Sequence, residues 1–96
     1  MKYDEFIKSN TKVLIEFYAE WCGPCQTMGP IMEEVQGMVG EDVSIAQIDI
    51  DKNEAEAKAL GIEIVPTFII YKNGKEAWRY SGLMTRGELM EKIENI

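Results

Sequence analysis

The chain has 96 residues, 46% hydrophobic and 28% charged, with ten Lys+Arg against seventeen Asp+Glu, a net charge of −7 and no histidine. That length fits one domain, residues 1–96, able to bury roughly two thirds of its unfolded surface without metal or disulfide staples. The acidity argues against nucleic acid or an anionic membrane as partner, the missing histidine removes every imidazole-based mechanism, and no apolar run approaches the ~20 residues of a membrane span.

The start, Met1-Lys2-Tyr3-Asp4-Glu5, turns acidic without an apolar core, so no secretory signal is expected. Asp4 is the predicted cap of a short helix over 5–9, with Phe6 and Ile7 facing inward. The run Val13-Leu14-Ile15-Glu16-Phe17-Tyr18 is apolar at both parities, the pattern of a strand covered on both faces, and Glu16 alone interrupts it. From 24 to 39, Met28, Ile31, Met32, Val35 and Met38/Val39 recur at three- and four-residue steps and predict an amphipathic helix, with a kink at Pro30. Residues 43–50 read as a second buried strand. Asn53 and Glu56 have the spacing of a capping box that opens a short helix, which Gly61 closes. Residues 67–72 form a third apolar strand, and Asn73-Gly74 predicts a type I′ hairpin into an alternating strand over 75–80. Thr85 and Glu88 repeat the capping-box spacing ahead of a last helix with Leu89, Met90, Ile93 and Ile96 inward. The β-helix-β segments predict parallel neighbours, and the hairpin adds an antiparallel edge. The expected architecture is α/β: a three-layer sandwich around a mixed sheet.

Both cysteines, Cys22 and Cys25, fall in one short motif where the first strand gives way to the long helix. A pair that close cannot tie distant loops together. Cys22 falls at the predicted N-cap, where unpaired N–H groups and the helix dipole favour an anion, and a thiolate is the nucleophile of thiol–disulfide exchange. Lowering a thiol pKa from about 8.5 to about 7 raises the thiolate fraction at neutral pH from roughly 3% to roughly half. Pro24 suits the first helical turn, which has no use for its missing N–H. Three residues on, Cys25 returns to the side of Cys22, within reach of a disulfide. Inert core cysteines are not expected at such a turn, and a zinc or iron–sulfur site needs about four ligands, which would have to come partly from another chain.

The string Glu20-Trp21-Cys22-Gly23-Pro24-Cys25 resembles the active site of the thioredoxins. The resemblance extends through Pro30, Val65-Pro66-Thr67, Lys72-Asn73-Gly74 and Gly82. It implies the thioredoxin fold, with a central mixed sheet of four strands, or five if a first edge strand precedes Asp4, and about four flanking helices. It implies a protein-disulfide reductase and dithiol electron carrier, in which Cys22 attacks a substrate disulfide and Cys25, the buried thiol, resolves the mixed disulfide. Partners would be disulfide-containing proteins and a reductase, either a flavoprotein thioredoxin reductase or a ferredoxin-linked enzyme. A monomer in the cytoplasm with no bound cofactor and no metal is expected. A disulfide oxidase or isomerase, and a non-redox binding subunit, are the alternatives.

Further residues join the site on the same footing. Glu16, if buried, should have a raised pKa and could exchange a proton with Cys25; the family usually has Asp there, and Gln47 stands where a lysine partner is usual. The resemblance implies a cis peptide bond at Pro66, with Val65 presenting backbone groups to an extended substrate segment. Trp21 is a candidate apolar platform beside Cys22. Gly23 and Gly82 would admit close backbone approach and, with Pro24, Val65 and Leu83, form a docking patch. Tyr18 is expected to pack behind the site and Trp78 to cover the surface.

Overall fold

The computed structural model describes residues 2–96. Its elements run α1 (Tyr3–Phe6), β1 (Lys12–Tyr18), α2 (Gly23–Met38), β2 (Val43–Asp49), α3 (Glu54–Ala59), β3 (Thr67–Lys72), β4 (Lys75–Ser81) and α4 (Arg86–Asn95). The four strands lie in the order β2-β1-β3-β4. β1 and β3 are therefore interior, which is why their sequences are apolar at both parities. Odd-numbered β1 residues Val13, Ile15 and Phe17 join Tyr3, Ile7, Ile48, Ile69 and Tyr71 in a core under α1 and α3. On the other face Leu14 joins Phe68, Ile70, Met28, Met32, Val35, Leu89 and Ile93 under α2 and α4. Each such side chain, once buried, contributes about 1.5–3 kcal/mol. The result is the expected three-layer mixed α/β sandwich.

Several local expectations are corrected. α1 begins at Tyr3, one residue before Asp4, and its N-cap is Lys2 with no side-chain cap bond. The burial of Tyr3 at 6%, bonded through its hydroxyl to Tyr71, places the helix, and Phe6 is only half-buried. β2 is half-buried over most of its length because it is an edge strand, not an interior one. Asn53 is the N-cap of α3, but its side chain donates to the Asp49 carbonyl and makes no cap bond. β1 pairs in parallel with β2 as expected, yet β3 runs antiparallel to β1. A parallel return must retrace a strand of about 23 Å, and a six-residue helix spans only about 9 Å, so the chain re-enters the sheet from the end it left. In α4, Met90 and Ile96 are half-buried and only Leu89 and Ile93 fully inward. A bulge between the register pairs of Ile70 and Tyr71 interrupts the β3–β4 ladder and breaks the alternation of β4.

The local signals that hold are the ones with a backbone reason. Asn73 and Gly74 both have positive φ, 54° and 79°, as a type I′ turn requires. Thr85 and Glu88 exchange both capping-box bonds, at 3.0 and 2.9 Å. α2 runs through Pro30 without a break. Among the described residues no strand precedes α1, and no helix is long and apolar enough to cross a membrane.

Candidate active site

β1 delivers the chain to the sheet's end, and α2 starts five residues later; Cys22 sits between them as the N-cap of α2 in extended conformation. The backbone N–H of Cys25 donates to Cys22 Sγ at 3.2 Å. The sulfur thus occupies the place where an Asp or Ser oxygen would cap a helix, and gains the same stabilisation of negative charge. Cys22 and Cys25 are joined in a disulfide, with Cα atoms 5.3 Å apart. Both residues are buried, at 4% and 7% exposure, so access does not separate them. The cap position does: Cys22 Sγ receives the helix N–H, and Cys25 lies one turn deeper.

The Val65–Pro66 bond is cis, and the Val65 carbonyl oxygen lies 3.5 Å from Cys22 Sγ. Three bonds fix this loop. The Gly82 N–H donates to the Pro66 carbonyl at 2.9 Å, Thr67 Oγ1 donates to the Ile64 carbonyl, and Thr67 and Ser81 hydroxyls pair at 2.7 Å. Pro66 is buried and Val65 half-buried. Gly82 has φ +120°, a conformation that excludes side chains, while a Cβ there would meet the Tyr80 ring no nearer than 3.7 Å. Its requirement is conformational. At Gly23 the close approach expected from sequence is not found, since an added Cβ would meet nothing within 4 Å.

Near the sulfurs the exposed surface combines apolar side chains with the acids Glu20 and Asp51. Trp21 is 69% exposed, with its indole N–H donating to Asp51 at 2.8 Å, so the ring is a fixed plate and not a loose one. Leu83, next to Gly82, is 52% exposed. Ile64 is 62% exposed and was not singled out from sequence, although it directly precedes Val65. Asp51 was also missed, because nothing local ties an acid after β2 to an indole thirty residues earlier. Pro24 is exposed on the first turn of α2. Tyr18 packs, half-buried, against the small cluster of Ala19, Cys22 and Cys25. Trp78 lies on β4 stacked against Tyr80, a surface cover as expected.

Glu16 differs from the acids Glu20 and Asp51 in being buried. It is 0% exposed, in register with Gln47 on β2 and Phe68 on β3. Gln47 Nε2 donates to Oε1 at 2.8 Å, and Oε2 has no partner. Burial pushes its pKa up, and the Gln47 bond opposes this. Glu16 is therefore no surface acid.

Comparison with known proteins is consistent with this geometry. The sequence model of the family described as Thioredoxin matches residues 1–95. Thioredoxin Y, chloroplastic, of Oryza sativa subsp. japonica is 44% identical over 94 residues, taking in 97% of this chain and 56% of that protein. The thioredoxin of Rickettsia bellii is 36% identical over 92 residues, 96% of this chain and 88% of its own. A mutant thioredoxin from Halobacterium salinarum superposes with a TM-score of 0.88 at 37% identity, covering 95% of this chain and 79% of that one. The chain spans about half the length of the curated plant relatives it matches.

Proposed function

The chain belongs to the thioredoxin family of thiol–disulfide oxidoreductases, and from that premise we propose that residues 1–96 act as one unit, a dithiol carrier that reduces disulfides in other proteins. The observation that carries this reading is Cys22 Sγ at the N-cap of α2, accepting the Cys25 N–H and facing the Val65 carbonyl. In the reduced form the Cys22 thiolate attacks one sulfur of a substrate disulfide. That S–S bond breaks, a Cys22–substrate disulfide forms, and the second substrate sulfur leaves as thiolate and takes a proton. Cys25 gives its proton to Glu16 and attacks Cys22 Sγ, which restores the Cys22–Cys25 disulfide and releases the substrate with two electrons gained. Burial of Glu16 supports this assignment, because a raised carboxyl pKa moves the acid toward that of the thiol it serves. Trp21, Gly23, Pro24, Val65, Pro66 and Gly82, with Leu83 and Ile64, form the docking surface. An extended substrate segment lies against the Val65 backbone.

Recharging falls to a flavoprotein thioredoxin reductase, with a ferredoxin-linked enzyme as the other candidate. The protein works as a monomer in a reducing compartment, the cytoplasm. The plant relatives are named chloroplastic, and fractionation of the source cell decides between the two. The test of the activity uses the reduced protein with a disulfide-bonded protein substrate, coupled in turn to each reductase. Wild type should turn over, Cys22→Ser should not react, and Cys25→Ser should accumulate the mixed disulfide. Trapping by Cys22→Ser instead reverses the roles. A redox titration against glutathione that places the pair far on the oxidising side overturns the reductive direction.

A further inference from the structure

Glu16 and Cys25 share no hydrogen bond among the described residues. Beside β1 and α2 lies a cavity of about 410 Å³ lined by Cys25, Gly29, Tyr18 and Gln47, which Glu16 reaches only through its bond to Gln47. Gln47 is exposed on β2, and it alone both lines this cavity and bonds Glu16. We propose that Gln47 is the positioning residue of Glu16: its amide pins Oε1 from the solvent side and leaves Oε2 as the oxygen that carries the proton. This rests on the proton-transfer role proposed above for Glu16. In a protonated carboxyl, the oxygen that accepts an N–H is the carbonyl one, so the hydroxyl falls on Oε2, the oxygen with no partner. An amide donates to the carboxylate and, less strongly, to the acid, so it holds the group through a full proton cycle without adding charge while favouring the ionised form.

Among the described residues no cation pairs with Glu16. On the same face of β1, Lys12 lies four residues back, its ammonium on the Ile93 and Glu94 carbonyls. β2 adds Asp49, which accepts the Asp51 N–H, beside Tyr18. β3 contributes Phe68, the register partner of Glu16, and the apolar Met28 and Met32 of α2 pack in the same core as Phe68. The direction of the Glu16 shift has burial first and the Gln47 bond as its counterweight.

The test titrates the Glu16 carboxyl of the reduced protein by ¹³C NMR, assigned by its loss in Glu16→Gln. Alongside it runs the pH profile of resolution from a preformed Cys22 mixed disulfide. Gln47→Met, which removes the donor, should move the carboxyl midpoint up; Gln47→Lys, which adds a cation, should move it down. The resolution profile should follow in both. Gln47 faces solvent, so neither variant threatens the fold. A carboxyl midpoint equal in all three proteins overturns the proposal. A midpoint that moves while the resolution profile stays fixed leaves Gln47 as the positioning residue and removes Glu16 from the proton transfer.

Discussion

Glu16→Gln should stabilise the oxidised protein by an amount that grows with pH. The wild-type carboxyl is wholly buried, takes one bond from Gln47 and leaves Oε2 without a partner. Burial raises its folded pKa above that of the unfolded chain, about 4.3. Between those two values the native state holds a proton that the unfolded state has released. Stability therefore falls as pH rises through the window and levels off above the folded pKa. The variant does not titrate there, so within the window the wild type loses about 1.4 kcal/mol relative to it per pH unit. A buried polar atom without a partner costs about 1–3 kcal/mol, more when charged. The variant should thus match the wild type near pH 4, where both native side chains are neutral, and hold at pH 8 the full lead accumulated across that window. Urea unfolding of the two oxidised proteins across that range reads the difference directly. A difference that stays constant with pH refutes the reasoning, since it would mean that Glu16 titrates alike in the folded and unfolded chains.

Thr85→Ala removes the cap that accepts the Glu88 N–H and should cost about 1 kcal/mol, lowering Tm by roughly 4–8 °C in a thermal melt. Gly82→Ala should cost at least about 1 kcal/mol because of its φ of +120°, whereas Gly23→Ala, with open space and an ordinary helical backbone, should be neutral in the same assay. Trp21→Ala should lower kcat/KM for a protein disulfide about tenfold while leaving a small disulfide nearly unaffected, as the docking role proposed for the exposed ring requires. Equal losses on both substrates would place Trp21 in the reaction itself.

The parts of the fold legible in the sequence are those written in local backbone chemistry. Asn73-Gly74, the Thr85–Glu88 box and the Cys22 cap each depend on residues within a few positions of one another, and the structure shows all three. What could not be read is set by distant partners. Nothing near Val43 says that its strand ends up at an edge. Nothing near Thr67 says that β3 enters antiparallel. Asn53 carries a sound capping pattern, but the Asp49 carbonyl takes its amide. The site follows the same division. The Cys22–Cys25 pair is contiguous and plain, while Asp51 under the Trp21 indole and Ile64 on the rim become visible only when the loops converge. Glu16 is intermediate: its burial follows from the strand pattern, its attachment to Gln47 from the register.

The sulfurs and Ala19 make a small cluster of their own, which meets the α1/α3 core through Ile50 and shares no residue with the α2/α4 core. Packing contact between the sulfurs and the larger cores is thereby narrow. Substitutions at the exposed positions of the turn over 19–25 leave both large cores packed as they are and act on stability through the disulfide itself, since a change of about 30 mV in its potential shifts the oxidised form against the reduced form by about 1.4 kcal/mol. Conversely, substitutions in the two large cores that leave Glu16 untouched change the scaffold without a direct contact to the sulfurs.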